Sequence, residues 1–324
     1  VDRVLNSIIM QEIPLNSIEL IIVDGGSRDS TIERIRSFIN KYGAMFWRVE
    51  FLVHDKNYGV SKARNDGIML SKGKYILILD HDVIMRKDTI KVLLEYLEKL
   101  PSTVACVRPL QIHVDGDRIR RMFESIARNN LLKVGTIADC TLCRACIFRE
   151  VGLYDVTLGQ HYTIYEDIEL GARVLSKGYE IRMIGWHEVI HDAREAPELN
   201  YELNSKARLR NYLGALGSLL NPRYRYALKR YLKSAPSIEK IRWRLYQASI
   251  ILILISIISL FMKSFLPLLT TLSLLLALLI DITVHYWNPK LPHLTLIYSA
   301  ITLTWRLARS IMLFIPGPKD IIKS

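Results

Sequence analysis

The sequence predicts an α/β fold, a Rossmann-like sheet covered by helices, followed by helices that lie on a membrane and then cross it. Three observations predict this. Tyr75-Ile-Leu-Ile-Leu-Asp80-His81-Asp82-Val83 is a short apolar run that leads straight into two carboxylates. Ile18 to Val23 is a second such run, and it ends in Asp24-Gly25-Gly26-Ser27 before a helical pattern. Beyond about residue 203 the composition turns basic and aromatic, and then long uncharged stretches follow. A continuous apolar run of strand length fits a strand covered on both faces, as in a parallel sheet.

The bulk numbers narrow the function classes. The chain of 324 residues is half hydrophobic, which allows a sizeable core, and its formal charge is +12. A basic surplus suits nucleic acid, an anionic membrane surface or phosphorylated substrates. Here much of it lies beside the apolar tail. Of the four cysteines, Cys140, Cys143 and Cys146 have C-x2-C-x2-C spacing, and Cys106 stands apart. No fourth ligand follows at iron–sulfur spacing, so they read as packing residues, with zinc or a disulfide as weaker alternatives. The chain opens on Val1-Asp2-Arg3, which reads as the inside of a helix. A first strand and its loop are therefore expected to be missing from the start.

In order, Asp2 to Met10 has helical spacing and Pro14 ends it. The strand at Ile18–Val23 leads to a glycine turn, and Ser30-Thr31-Ile32-Glu33 has the pattern of a capping box. Asp24, at the strand's end, can accept hydrogen bonds from a base or ribose, or can serve a helix-capping loop. Phe46 to Val53 is a third strand. Asn57-Tyr58-Gly59-Val60-Ser61-Lys62-Ala63-Arg64-Asn65-Asp66-Gly67 then starts a helix with Ser61 as its cap. Lys62 and Arg64 fall in the first turn, where cations are unfavourable unless an anion such as phosphate compensates them. On the strand that follows, Asp80 and Asp82 are two apart and so face one side. Two oxygen donors at a strand's carboxyl end suit Mg²⁺ or Mn²⁺ shared with a diphosphate, or else form a plain polar loop.

Val23-Asp24-Gly25-Gly26-Ser27, Asn57-x-Gly59-x-x-x-Ala63-Arg64-Asn65-x-Gly67 and Asp80-His81-Asp82, in this order, resemble the family 2 glycosyltransferases of GT-A fold. The resemblance implies a nucleotide-sugar donor, a divalent metal on the Asp-x-Asp carboxylates and inversion at the anomeric carbon. It places Asp24, Asn57, Gly59, Arg64, Asp80 and Asp82 around the donor. Many members carry a second acid where this chain has Gly25, which leaves base or ribose recognition to Asp24. The membrane-integrated transferases that act on polyprenyl or dolichyl phosphates are the most similar in layout.

A helix is expected from Lys87 to Leu100, stopped by Pro101, and a strand from Thr103 to Val114. Arg108, Arg118, Arg120, Arg121 and Arg128 read as a solvated basic face or as a landing site for an acceptor phosphate. Thr136 to Phe148 resembles the strand that backs the family's acceptor site. Tyr165-Glu166-Asp167-Ile168 looks like its Glu-Asp motif at a helix start. Asp167 is then the general base, kept ionised by the helix N-terminus, and Glu166 holds the acceptor hydroxyl or a neighbouring group. Glu180 to Ile190 is a strand, and the resemblance to GT-A enzymes, some of which carry a histidine metal ligand here, makes His191 the candidate third ligand, ahead of His187.

The domain expectation is an α/β catalytic domain over 1–203, basic amphipathic interfacial helices over 204–245, membrane spans at 246–262, 264–282 and 294–315, and a tail over 316–324. Basic residues interleaved with Tyr and Trp suit helices on an anionic leaflet. The apolar run that follows favours a membrane over nucleic acid. A single helix over both uncharged runs would be about 50 Å long, too long for a core of about 30 Å, so a hairpin near Lys263 and Pro267 is expected. The Lys and Arg bias places the catalytic domain in the cytoplasm. Glu239-x-x-Arg242-Trp243 only weakly echoes a processive-synthase motif, so single-sugar transfer is expected. The expected reaction moves a hexose, mannose from GDP-mannose ahead of a UDP-hexose, to a polyprenyl phosphate or lipid-linked saccharide. Oligomers are compatible with the sequence. The competing readings are a haloacid-dehalogenase-type phosphohydrolase with Asp80 as nucleophile and a non-catalytic nucleotide-sensing membrane protein.

Overall fold

The computed structural model describes residues 1–113, 128, 130–137, 139–158 and 166–192, and then 244, 248, 251, 271–272, 274–280 and 303. The chain divides into two compact units, Val1–Gly116 with Arg120–Ser218, and Asp117–Ile119 with Leu219–Ser324. The first is an α/β unit. Its elements are α1 (Asp2–Ile9), β1 (Glu19–Asp24), α2 (Thr31–Tyr42), β2 (Arg48–Val53), α3 (Val60–Leu70), β3 (Tyr75–Leu79), β4 (Val83–Ile84), α4 (Thr89–Lys99), β5 (Val104–His113), β6 (Leu131–Val134), β7 (Cys140–Arg144), α5 (Cys146–Val151), α6 (Glu166–Ser176) and β8 (Glu180–His191).

Strands β1 and β2 pair in parallel. The larger sheet has the order β3-β7-β5-β8-β4, with β6 also on β8. It is mixed: β5 and β8 are parallel, whereas β3 pairs antiparallel with β7 and β4 antiparallel with β8. The apolar run at 75–79 thus lies in an antiparallel pair, against the parallel expectation. What the run does reflect is apolar packing on both faces. Tyr75, Leu77 and Leu79 pack on one core cluster, which buries Leu5, Ile35, Phe38, Leu93 and Leu97 from α1, α2 and α4. Ile76 and Ile78 belong to a second cluster with Ile68, Ile147, Leu170 and Val174 from α3, α5 and α6. Leu93 and Leu97 are fully buried, each adding about 1.5–3 kcal/mol relative to exposure.

Several local expectations need correction. The Thr136–Phe148 strand breaks at Arg144, because α5 starts at Cys146. Ser30 makes no side-chain cap; Asp29 Oδ1 accepts the Thr31 N–H instead, at 3.0 Å. Gly59, not Ser61, is the cap of α3, and the Ser61 hydroxyl is buried and donates to the Leu158 carbonyl at 2.6 Å. Cys106 and Cys143, opposite each other on β5 and β7, are joined as a disulfide, while Cys140 and Cys146 are free. The packing role assigned to Cys106 and Cys143 is therefore incomplete.

In the second unit residues 274–280 are helical. Leu272, Leu276 and Ile280, four apart, are exposed. Among the described residues no helix is long and apolar enough to cross a membrane. The interfacial helices over 204–245 and the spans at 246–262, 264–282 and 294–315 lie almost wholly outside the described residues.

Candidate active site

The expected site residues all belong to the first unit, and the loops after β1, β2 and β3 supply most of them. Asp24 ends β1. Its Oδ1 accepts the N–H groups of Gly26 and Ser27 at 2.9 and 2.7 Å, and its Oδ2 accepts the Ser27 hydroxyl at 2.7 Å. In this state Asp24 therefore builds its own turn, and base or ribose would compete with those bonds. Gly26 has φ +88, and a Cβ there would meet the His54 carbonyl at 3.1 Å, so the turn can lie against the end of β2 only with glycine. Asn57 is likewise a turn former: its Oδ1 accepts the Gly59 N–H at 2.8 Å, and Gly59 has φ +91.

The cations of α3 do not wait for a phosphate. Lys62 pairs with Asp66, one turn along. Asp66 also bonds His54 Nε2 at 2.9 Å. Burial opposes ionisation of Asp66, but these two partners hold its carboxyl below the usual range. The Arg64 Nη2 donates to both oxygens of Asp80, at 2.9 and 2.8 Å, and its Nη1 donates to Glu166 Oε1 at 2.8 Å. Its guanidinium also lies over the Tyr154 ring at 5.3 Å. The adjacent Asn65 fixes that tyrosine, giving and taking a 2.8 Å hydrogen bond with its backbone.

Asp80 and Asp82 do not share one side of a strand. β3 stops at Leu79, and a tight turn closed by Val83 N–H on the Asp80 carbonyl at 3.2 Å carries both residues. The turn breaks the alternation that the spacing implied. Asp80 goes to Arg64, while Asp82 Oδ2 faces His191 Nε2 at 3.5 Å. Antiparallel pairing of Val83 with His191 sets this up, and the Asp192 N–H on the Asp82 carbonyl at 2.8 Å secures it. A carboxylate oxygen and an imidazole nitrogen are suitable donors for Mn²⁺, and two adjacent ligands of an octahedral ion lie about 3 Å apart. Asp82 and His191 fit that requirement with a small adjustment. Asp80 fits less well, because Arg64 takes both of its oxygens. The same contact weakens Asp80 as a phosphohydrolase nucleophile. No trio of His, Cys, Asp or Glu among the described residues is arranged to hold a metal ion. His187 is buried on Thr89 Oγ1 at 2.9 Å, and burial lowers its pKa, so it is structural.

Glu166 and Asp167 open α6, as expected. Burial raises the Asp167 carboxyl to about 7, with the charges of Glu166 and Asp139 adding to the effect. The helix N-terminus was expected to keep it ionised; burial and two like charges outweigh that. A carboxyl poised near 7 is well placed to take a proton from a hydroxyl.

Asp139 was missed in the sequence. It is the one non-glycine residue with positive φ, +64, among those described. Burial pushes its carboxyl up, but Arg108, His191 and Arg64 hold it below the usual value. Arg108 donates to Thr136 Oγ1 at 2.7 Å and to Asp139 Oδ2 at 3.1 Å. It is 8% exposed, so it is not part of a solvated basic face. Arg128 pairs with Glu188 at 2.8 Å, and Arg118, Arg120 and Arg121 lie outside the described residues. Arg64 Nε, Arg108 Nε and Gln111 Nε2 are buried without hydrogen-bond partners. Buried polar groups left unpaired cost about 1–3 kcal/mol each, a cost that a ligand's oxygens can remove.

Residues 1–152 match the family model described as Glycosyl transferase family 2. Glycosyltransferase AglE of Haloferax volcanii is 26% identical over 217 residues, covering 61% of this chain and 64% of that protein. The dolichyl-phosphate beta-glucosyltransferase of Dictyostelium discoideum is 33% identical over 130 residues, covering 39% of this chain and 38% of that protein. This chain therefore spans less than two thirds of the length of either curated relative. Among solved structures, the mannosyltransferase PcManGT from Pyrobaculum calidifontis, in complex with GDP-Man and Mn2+, is similar with a TM-score of 0.55 at 15% identity. That likeness covers 94% of this chain and 83% of the other. Over residues 1–152 the α/β unit therefore matches the family 2 glycosyltransferases, and its fold is similar to that of the Pyrobaculum mannosyltransferase.

Proposed function

We propose that this domain transfers a hexose from a nucleoside-diphosphate sugar, with inversion, to a lipid-linked acceptor at a membrane surface. The observation that carries the reading is the pairing of Asp82 with His191 next to an Arg64-bound Asp80, with Glu166 on the same arginine and Asp167 beside it. Asp82 and His191 would hold the divalent ion. When bound, that ion neutralises charge developing on the departing diphosphate. Arg64 positions Asp80 and Glu166 and keeps a positive charge at the centre of the acidic cluster. Asp167 accepts the proton of an acceptor hydroxyl.

The acceptor proposed is a polyprenyl phosphate or a lipid-linked saccharide. It is supported by the basic, aromatic and apolar sequence after residue 203 and by the printed name of the Dictyostelium relative. GDP-mannose is the donor to try first and UDP-glucose second. The cytoplasmic placement of the domain and the membrane spans belong to the same proposal and rest on the charge pattern of the sequence.

The test uses the full chain in detergent with Mn²⁺, a panel of nucleotide sugars and polyprenyl phosphate. Release of nucleoside diphosphate together with a labelled glycolipid is the expected result. Absence of both with every donor, while the Mn²⁺-loaded protein stays folded, would contradict the reading.

A further inference from the structure

We propose that Arg108 is a positioning residue for the transfer reaction. From β5 it clamps Thr136 and Asp139, beside the Ile137 N–H and the Asp139 carbonyl that hold the backbones of Asp167 and Asp80. The inference rests on the function proposed above, because it assigns Asp80 and Asp167 to that reaction.

The geometry is specific. The Asp80 N–H donates to the Asp139 carbonyl at 2.7 Å, and the Ile137 N–H donates to the Asp167 carbonyl at 3.3 Å. Asp139 thus touches the turn after β3, and Ile137 touches the start of α6. Arg108 grips Thr136 and Asp139, with Nη1 on Thr136 Oγ1 at 2.7 Å and Nη2 on Asp139 Oδ2 at 3.1 Å. Tyr154 adds a hydroxyl bond to the Ile137 carbonyl at 2.8 Å, between the two grips.

Asp139 needs holding. A left-handed backbone disfavours residues other than glycine, although Asn and Asp tolerate it best. Asp139 adopts φ +64. Its carboxylate is also half-buried beside other carboxylates, where a missing cation would be costly. Arg108 can hold it because its own backbone is rigid: β5 pairs in parallel with β8, with Arg108 opposite Met183. A planar guanidinium offers two fixed donors, one for Thr136 and one for Asp139. A lysine offers a point charge that cannot span both.

Two substitutions separate positioning from simple stability. R108K keeps the charge and Thr136→Val keeps the volume, and each removes one point of the grip. With the full chain, Mn²⁺ and the active nucleotide sugar, R108K is expected to lower kcat at least tenfold and T136V three- to tenfold. The donor KM should stay within threefold, and the melting temperature within a few degrees. Because both act on one clamp, the double variant is expected to be no slower than R108K. Amide hydrogen exchange in the donor-free protein reads the clamp directly: the Asp80 and Ile137 N–H groups should exchange at least tenfold faster in R108K.

Unchanged exchange and parent-like kcat in R108K would overturn the proposal. So would a loss carried by donor KM, or one matched by a fall in melting temperature. Faster exchange in R108K together with a parent chain that turns over no donor would instead sink the functional reading and leave the clamp standing.

Discussion

Asp82 and Asp80 differ by two positions and by everything around them. Asp82 faces His191 at 3.5 Å, while both oxygens of Asp80 lie on Arg64. Replacing Asp82 by Asn, or His191 by Ala, should therefore weaken Mn²⁺ binding by about 100-fold in titrations without donor. Asp80→Asn should weaken it by less than about tenfold, and equal losses at 80 and 82 would contradict the division of roles. Asp167 supplies a pH signature. Its folded pKa is raised to about 7, so the fold favours its protonated form. That contribution is complete below the unfolded value near 3.8 and is lost as pH rises through about 7. Asp167→Asn should accordingly melt higher than the parent at pH 8, with little difference at pH 4. Transfer to a hydroxyl should fall below pH 7 in the parent and vanish in the variant. Transfer to an already ionised phosphate should only weaken. Identical residual activity with both acceptors would remove Asp167 as base. Among single residues the sequence singled out Asp82, His191, Glu166 and Asp167 through motif and position. Asp139 was illegible, because a lone Asp between Ala138 and Cys140 carries no local signal. Its importance comes from a backbone bend and from Arg108, 31 positions earlier.

At the scale of elements, Gly171 shows how tightly α6 must sit. A Cβ on this residue would fall 2.1 Å from the Gly135 carbonyl oxygen. Gly171 stands one turn after Asp167, so Gly171→Ala should push the helix, and the base with it, away from Gly135 and Thr136. We expect a destabilisation of at least about 2 kcal/mol by denaturant unfolding, of the size that backbone clashes produce, together with a loss of transfer. Stability within about 0.5 kcal/mol of the parent would mean that α6 can slide. The helices and strands themselves were readable from apolar periodicity. Helices α2, α4 and α6 and strands β5 and β8 fall within a few residues of expectation. The turn at Asp80–Val83 was not readable. Period-two alternation was extended past Leu79 because the apolar run gives no stop signal, whereas pairing with β7 stops there and the chain turns toward β8. Sheet direction was equally hidden: an apolar run reports cover on both faces, which an antiparallel strand between two helix layers also has.

At the scale of the whole molecule, the sequence after residue 203 carries the proposal that the enzyme works at a membrane. Residues 204–245 concentrate Lys and Arg with Tyr and Trp, and uncharged runs follow on either side of Lys263. The full chain should sediment with membranes, resist extraction at high salt and pH 11, and need detergent for release. Release by salt alone would reduce the tail to a surface contact, because electrostatic attachment is screened and inserted helices are not. The α/β unit has its own two-sided core, and the candidate site residues lie within it.

The central claim is that Asp82 and His191 hold the cation that carries a nucleotide sugar's diphosphate. Crystals of the full chain grown with Mn²⁺ and a nucleoside diphosphate test it most directly, through the anomalous signal of manganese. The account predicts one peak within about 2.3 Å of both Asp82 Oδ2 and His191 Nε2, with Asp80 still on Arg64. A peak elsewhere, or a diphosphate bound with no ion between those two side chains, would contradict it.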